Sequence, residues 1–393
     1  MSEEREMREV REMREMRGTA EGVLSARFGG QVRLDDGSDL GGSARSFSCR
    51  YVGVDGPEGL PASVVAKKMR AGEDEEYDPE ALDGPAVGLL NEWAGLAFLS
   101  EISGGASPTP VCYGGDRGAG LLVMQDMGSP RGLDHILLGD DAEEAEEALV
   151  QLAVALGRMH AATIGHGARF AEKRAKLGPT RSINWDWLRA RTRELEEALD
   201  LGIGPEVNEQ IDDVIEALNN PGPFAAYTHM DPCPDNALWV DGRVMLLDFE
   251  SGAYRHALLD GSYGRIHFPS CWCVNQIPGH IPLRMEDEYR RELVAGCPQA
   301  DDDAIYRRAV ALACAWGAIG TWWPKLMQED GQWGLATHRQ RVLLRFYIFG
   351  RLTAEYGQLE ALGRWVDLLG SLLREAWGEV EELPFYPAFR AGA

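Results

Sequence analysis

The sequence has little with which to cross-link itself. Its 393 residues include seven cysteines, an odd number with no paired CxxC spacing, which argues against a disulfide framework and for a reducing compartment. Cys271 and Cys273 in "SCWC" form the close pair. Without a second pair or a histidine at ligand spacing they read as small buried hydrophobes rather than zinc ligands. Long apolar runs are missing too. No stretch reaches the roughly 18 uninterrupted apolar residues of a membrane span, and the opening "MSEEREMREVREMREMRG" has no apolar core of a signal peptide. A cytoplasmic protein with no membrane partner is expected. Positive charge is scarce: the formal net charge is −24, the wrong sign for a phosphate backbone, so nucleic acid is excluded as a partner. The GxxxxGK[ST] loop that cradles phosphates in one large class of nucleotide-binding proteins is also absent.

What is present suits a globular chain with one large core or two packed lobes, being 45% hydrophobic and 26% charged. Residues 1–20 read as a charged helix or tail, in which Met7, Val10, Met13 and Met16 recur at a spacing of three. From 21 to 126 the apolar runs are short and turn residues frequent: "QVRL", "SFSCRYVGV", "SVVAKKM", "PTPVCYGG" and "GLLVMQDMGS" read as strands. One helix, "AVGLLNEWAGLAFLSEI", interrupts them. From 127 to 393 helical patterns dominate, beginning with "DAEEAEEALVQLAVALGRMHAAT". The expected fold is α+β and bilobal: a small antiparallel β lobe with one helix, then a larger, mainly helical lobe. The tryptophans of "SINWDW", "SCWCVN" and "GTWWPK" read as core, with the lining of a substrate pocket as the other reading.

The chemistry concentrates in "HMDPCPDNALWVDGRVMLLDFE", residues 229–250. Two apolar runs flank Asp241-Gly242, a dipeptide suited to a type I′ hairpin turn because both positions need positive φ. Such a hairpin puts Asn236 just before its first strand and Asp248 just after its second. Asp231 lies five residues before Asn236, across a loop stiffened by Pro232 and Pro234. Hard oxygen donors of this kind suit Mg2+ shared with substrate phosphates. A carboxylate left off the metal is free to take a proton from a hydroxyl nucleophile, the division of labour in phosphoryl transfer.

With these residues in place, the sequence resembles the aminoglycoside phosphotransferase and choline kinase group of the protein-kinase-like superfamily, over roughly residues 38–265. "HMDPCPDN" is similar to its HxDxxxxN catalytic loop and "DFE" to its metal-binding triplet. The resemblance implies Asp231 as catalytic base and Asn236 and Asp248 as magnesium ligands. "DLGGSARSFSCRYVGV" resembles the family's first hairpin, with Gly41, Gly42 and Ser43 offering backbone N–H groups to phosphates. "VVAKK" resembles the third-strand lysine motif. Strand side chains alternate faces, and Lys67, directly after Val64, Val65 and Ala66, is taken as the phosphate-binding residue, leaving Lys68 to solvent. Glu92 resembles the helical acid that pairs with that lysine. "GLLVMQDMGS" resembles the interlobe connection, with Met124 bordering the adenine pocket and Gln125 and Met127 contributing main chain. His229 and Asp260 are similar to residues that brace the catalytic loop, and His160 reads as packing. Met230 and Asp235 stand where glycine is usual in the family, and "AYRHALLD" replaces a common Gly-Asp-Pro run.

The implied activity is transfer of the γ-phosphate of ATP, with Mg2+, to a hydroxyl of a small molecule: an aminoglycoside-like compound, an amino alcohol or a sugar. The net charge and the acidic "GEDEEYDPE" lean towards a cationic acceptor. Two other readings stand beside it. A non-catalytic, kinase-like binding or scaffold protein would have lost the lysine, the base or the metal Asp, and none is missing. A protein kinase would carry the GxGxxG fingerprint and an APE-like segment after "DFE", and neither is found.

Overall fold

The computed structural model describes residues 3–42, 45–70, 77–103, 107–180, 184–320, 322 and 324–390, with side chains from residue 10 onward. The chain divides into two compact units.

The first unit holds Met1–Pro130 together with Ala168–Ser182 and Leu247–Ala253. It opens with helix α1 (Glu3–Phe28), followed by β1 (Arg33–Leu34), β2 (Ser38–Gly42), β3 (Ser46–Asp55), β4 (Ser63–Met69), α2 (Gly84–Ser103), β5 (Cys112–Asp116) and β6 (Leu121–Gln125). The strands form one six-stranded sheet in the order β1-β3-β4-β6-β5, with β2 paired to β3, and the pairings are antiparallel, as expected. β4 alternates buried and half-buried positions up to Ala66, then buries Lys67 as well.

Helix α1 runs beyond the charged segment read from the sequence. Met16, Ala20 and Leu24, four residues apart on one face, are buried with Phe47, Cys49, Tyr51, Val64 and Val123 of the sheet. The apolar stripe extends past residue 17 with Ala and Leu, which the Glu/Arg/Met pattern obscured, and Val10 is exposed. Tyr51 donates its hydroxyl proton to the Met13 carbonyl at 2.7 Å. The unit thus carries α1 in addition to the one helix expected, α2, and the helical residues 168–177 join it as well.

The chain continues through β7 (Arg131–Gly132), α3 (Leu133–Leu137) and α4 (Ala142–Thr163) into the second unit. Helix α5 (Gly167–Leu177) belongs, from Ala168 on, to the first unit. After it come α6 (Trp187–Leu199), α7 (Pro205–Asn219), β8 (Ala225–Thr228), β9 (Ala237–Val240), β10 (Arg243–Leu246), β11 (Ala253–His256), α8 (Leu258–Gly261), α9 (His280–Leu293), α10 (Asp303–Ile319), β12 (Gln332–Trp333), β13 (Ala336–Thr337), α11 (His338–Tyr356) and α12 (Glu360–Trp377). Asp141 caps α4 by accepting the Glu144 N–H, and Thr337 with Gln340 forms a capping box on α11. Gly157 lets α4 approach α9, since a Cβ there would lie 2.7 Å from the Tyr289 carbonyl oxygen. Among the described residues no single helix is long and apolar enough to cross a membrane.

Candidate active site

The expected hairpin forms. β9 and β10 pair antiparallel from Ala237↔Leu246 to Val240↔Arg243, and Asp241 and Gly242 adopt φ of 49° and 75° at its turn, the geometry that a tight two-residue connection requires. Asn236 stands one residue before the first pair, and Asp248 two residues after Leu246.

In the first unit three sequence-singled residues meet. Lys67 Nζ lies 2.7 Å from Glu92 Oε2 and 2.6 Å from Asp248 Oδ1. Register sets this up: Lys67 is held between Ser48 of β3 and Leu122 of β6, and Glu92 sits among Leu89, Leu90 and Leu96 on the buried face of α2. Both side chains are almost wholly removed from water, Glu92 at 1% exposure. A charge so placed is tolerable only with a partner. Burial by itself would lower the lysine pKa, and the Glu92 and Asp248 carboxylates together raise it above the ordinary value. The ammonium therefore stays charged. Lys68 turns the other way, though not to open solvent as expected: Glu15 and Glu12 of α1 lie 3.8 and 4.0 Å from its Nζ. Helix α1, given no role in the sequence, supplies that acidic face.

Asp248 has φ of 63° and begins a 3-10 turn over Phe249–Ser251 whose Phe249 is fully buried. The turn is fastened to α2. Asn91 Nδ2 donates to the Glu250 carbonyl at 3.0 Å, and its Oδ1 accepts from Arg174 Nε of α5 at 2.8 Å. Gly88 permits the approach, because a Cβ there would come within 3.3 Å of the Glu250 Cβ. Arg45 lies 3.5 Å from Glu250 Oε1.

In the second unit Asp231 follows Met230, which has φ of 70°. A positive φ is one that glycine adopts without strain; methionine holds the same shape at a strain of about 1–2 kcal/mol. Asp231 Oδ1 accepts three donors: the Ser270 hydroxyl, the Tyr263 hydroxyl at 3.2 Å and the Cys233 thiol at 3.0 Å. Asn236 Nδ2 donates to the Asp231 carbonyl at 3.0 Å and lies 3.4 Å from its Oδ2. One carboxylate oxygen is thus saturated and the other lightly engaged, the arrangement of an oriented proton acceptor. Ser270 is presented by a segment in which His267 and Phe268 both have positive φ, 54° and 53°.

Beneath the loop, buried Asp260 accepts the His229 N–H at 2.6 Å and the Met230 N–H at 2.9 Å. His229 Nδ1 accepts the Asp231 N–H at 3.3 Å. His160, expected only to pack, lies with Nε2 3.1 Å from Asp260 Oδ2 and Nδ1 2.8 Å from the Tyr289 hydroxyl. Sequence reasoning also missed Ser270, Tyr263 and Cys233. Cys233 lies inside the motif itself, so the other two carried no local signal.

The remaining nucleotide candidates fall as follows. Gly41 and Gly42 end β2 and are exposed, and the Gly41 N–H is already donated to Asp39 Oδ1. Ser43 lies outside the described residues, as do residues 72–76 of the acidic stretch. Met124 is buried and paired with Val65 and Cys112. The Gln125 N–H is bonded to the Val111 carbonyl at 2.8 Å, so it is occupied within the first unit. Met127 lies beyond the end of β6 and is half-buried.

Each of the two expected magnesium ligands offers, within its own unit, an oxygen of the kind that suits the ion. The Asp248 side chain keeps 38% exposure, and Asn236, having turned its amide nitrogen to Asp231, keeps its amide oxygen as a hard donor.

Residues 78–267 match the model of the phosphotransferase enzyme family. No curated protein sequence matches the chain. Among solved structures, a choline/ethanolamine kinase family protein from Mesorhizobium loti is 14% identical, with 92% of this chain and 95% of that one covered and a TM-score of 0.39. Choline kinase from Cryptosporidium parvum is 12% identical over 88% of this chain and 89% of that one, TM-score 0.41. A macrolide 2'-phosphotransferase from Brachybacterium faecium is 17% identical over 76% and 91%, TM-score 0.40.

Proposed function

We propose, on the premise that residues 78–267 belong to the phosphotransferase enzyme family, that this chain transfers the γ-phosphoryl group of ATP to a hydroxyl of a small-molecule acceptor. The observation that carries this reading is the buried Lys67 ammonium held at 2.7 and 2.6 Å by Glu92 and Asp248. A cation buried at this cost and doubly anchored is positioned to neutralise phosphate charge.

Each residue then has a task. Lys67 binds the α and β phosphates, and Glu92 fixes its direction. Asn236 and Asp248 hold Mg2+, which when bound spreads the negative charge of the phosphates. Asp231 orients the acceptor hydroxyl and takes its proton at Oδ2, while Ser270, Tyr263 and Cys233 hold the opposite oxygen still. Gly42 and Ser43 offer main-chain groups to the phosphates, as Gly41 does once its N–H leaves Asp39. Met124 borders the adenine, and Gln125 and Met127 supply main chain to it, Gln125 through its carbonyl because its N–H is taken by Val111. An acceptor bearing an amine suits a chain of net charge −24.

The test is a panel of hydroxylated amines, sugars and antibiotics incubated with ATP and Mg2+, read by ADP release and by mass gain of the acceptor. Phosphorylation of one acceptor, lost in Asp231→Ala, supports the reading. Nucleotide binding with no transfer across the panel would favour the scaffold reading instead.

A further inference from the structure

Two cysteines that read in the sequence as small buried hydrophobes acquire partners in the structure. Cys271 and Cys273 lie with their Sγ atoms 3.0 Å apart. The catalytic loop brings a second dipeptide-spaced pair to them, Cys233 and Asp235. The Sγ atoms of Cys233 and Cys271 and a carboxylate oxygen of Asp235 all lie within 4.8 Å of one another, with Cys271 Sγ 3.6 Å from Asp235 Oδ1. Ligands held about 2.1–2.3 Å from a tetrahedral zinc ion are about 3.5–3.8 Å from each other, so the cluster needs only small side-chain rotations to close on an ion.

We propose that Cys233, Asp235 and Cys271, completed by Cys273, form a thiolate site for a soft divalent ion of the zinc class, separate from the magnesium ligands. The donor set selects the ion: sulfur favours zinc and cadmium over magnesium. Charge balance is the second argument. Three thiolates, a carboxylate and a divalent ion sum to −2. Two guanidinium groups of α11, Arg341 and Arg345, are buried at 3% and 4% exposure. Among the described residues neither has an acidic partner in an ion pair, and both donate to this same segment, Arg341 to the Cys271 carbonyl at 2.8 Å and Arg345 to the Pro269 carbonyl. Buried cations without counter-charges are costly, and the metallated cluster supplies the two negative charges that they lack. Binding displaces three thiol protons to solvent and involves no redox change; Cys233 then no longer donates to Asp231 Oδ1, which keeps the Ser270 and Tyr263 hydroxyls. Because Cys233 and Asp235 flank Pro234 in the loop after Asp231, the ion would staple that loop to residues 271–273.

The probe is Cd2+, titrated into the full chain in a non-thiol reductant while following the ultraviolet charge-transfer absorption of cadmium thiolates and the melting temperature. The expected result is a band saturating at one ion per chain, accompanied by a rise in melting temperature. The band disappears in Cys271→Ser and Cys233→Ser. Should either serine variant fail to fold, Asp235→Asn decides, since that carboxylate is exposed; its affinity for Cd2+ falls about 10-fold or more. No band in the native protein, a stoichiometric band undiminished in folded Cys271→Ser, or unchanged affinity in Asp235→Asn overturns the proposal.

Discussion

Lys67 Nζ and Asp248 Oδ1 stand 2.6 Å apart, although 181 residues of chain separate them. Glu92 makes the third member of the group, and all three belong to the first unit.

Truncating the buried cation leaves Glu92 unpaired. Lys67→Ala is expected to destabilise the protein by about 3–5 kcal/mol, and in protein that remains folded to lower turnover by roughly 100-fold or more. Lys68→Ala, removing a half-exposed amine at 3.8 to 4.0 Å from its partners, is expected to cost about 1 kcal/mol or less. Urea unfolding and steady-state kinetics on both variants distinguish the two lysines; equal losses would refute the assignment to Lys67.

Asp260 satisfies two backbone N–H groups of the loop that precedes Asp231. Asp260→Ala should lose about 2–4 kcal/mol, since a buried donor left unmade costs about 1–3 kcal/mol. Asp260→Asn, which keeps one acceptor oxygen, should fall between it and the native protein. Chemical denaturation checks the order of the three.

Ser270 and Tyr263 position Asp231 through its saturated oxygen. Tyr263→Phe and Ser270→Ala are each expected to lower kcat about 10-fold while leaving KM for ATP within about twofold, because they loosen the proposed base and not the nucleotide. A shared rise in KM with unchanged kcat would show that they act on binding instead.

Two buried histidines make the fold acid-sensitive. Burial, with His160 adding a smaller repulsion, pushes His256 down to about 3, and burial with Arg265 nearby pushes His267 down to about 4. The unfolded chain therefore binds more protons than the native one below about pH 6.5. Stability rises with pH across this window and is lost as pH falls from about 6.5 towards 4, with a slope of up to about 1.4 kcal/mol per pH unit for each histidine. His267→Asn keeps an acceptor for the Ile277 N–H and should flatten the slope between pH 6 and 4.5. An unchanged slope, measured by urea unfolding at stepped pH, would assign the acid sensitivity to carboxylates alone.

The parts of the site that could be read in the sequence are those whose geometry is local. A D-G turn between two apolar runs dictates the β9–β10 hairpin, and alternation along "VVAKK" separates Lys67 from Lys68. The companions of Asp231 could not be read this way: Ser270 and Tyr263 lie 39 and 32 residues downstream, on a segment shaped by two left-handed residues that carry no glycine signature. Helix α1 was half legible, because its stripe switches from Met to Ala and Leu where the Glu/Arg repeat stops. The pairing of Cys271 with Cys233 depended on tertiary packing alone.

The most direct measurement compares Asp231→Ala with the native protein in two assays on the same preparation: phosphoryl transfer to the acceptor, and ATP binding by calorimetry in Mg2+. With Asp231 as the base, transfer falls by about 100- to 10,000-fold, while the dissociation constant for ATP stays within about threefold. Undiminished transfer, or loss of nucleotide binding along with it, contradicts the account.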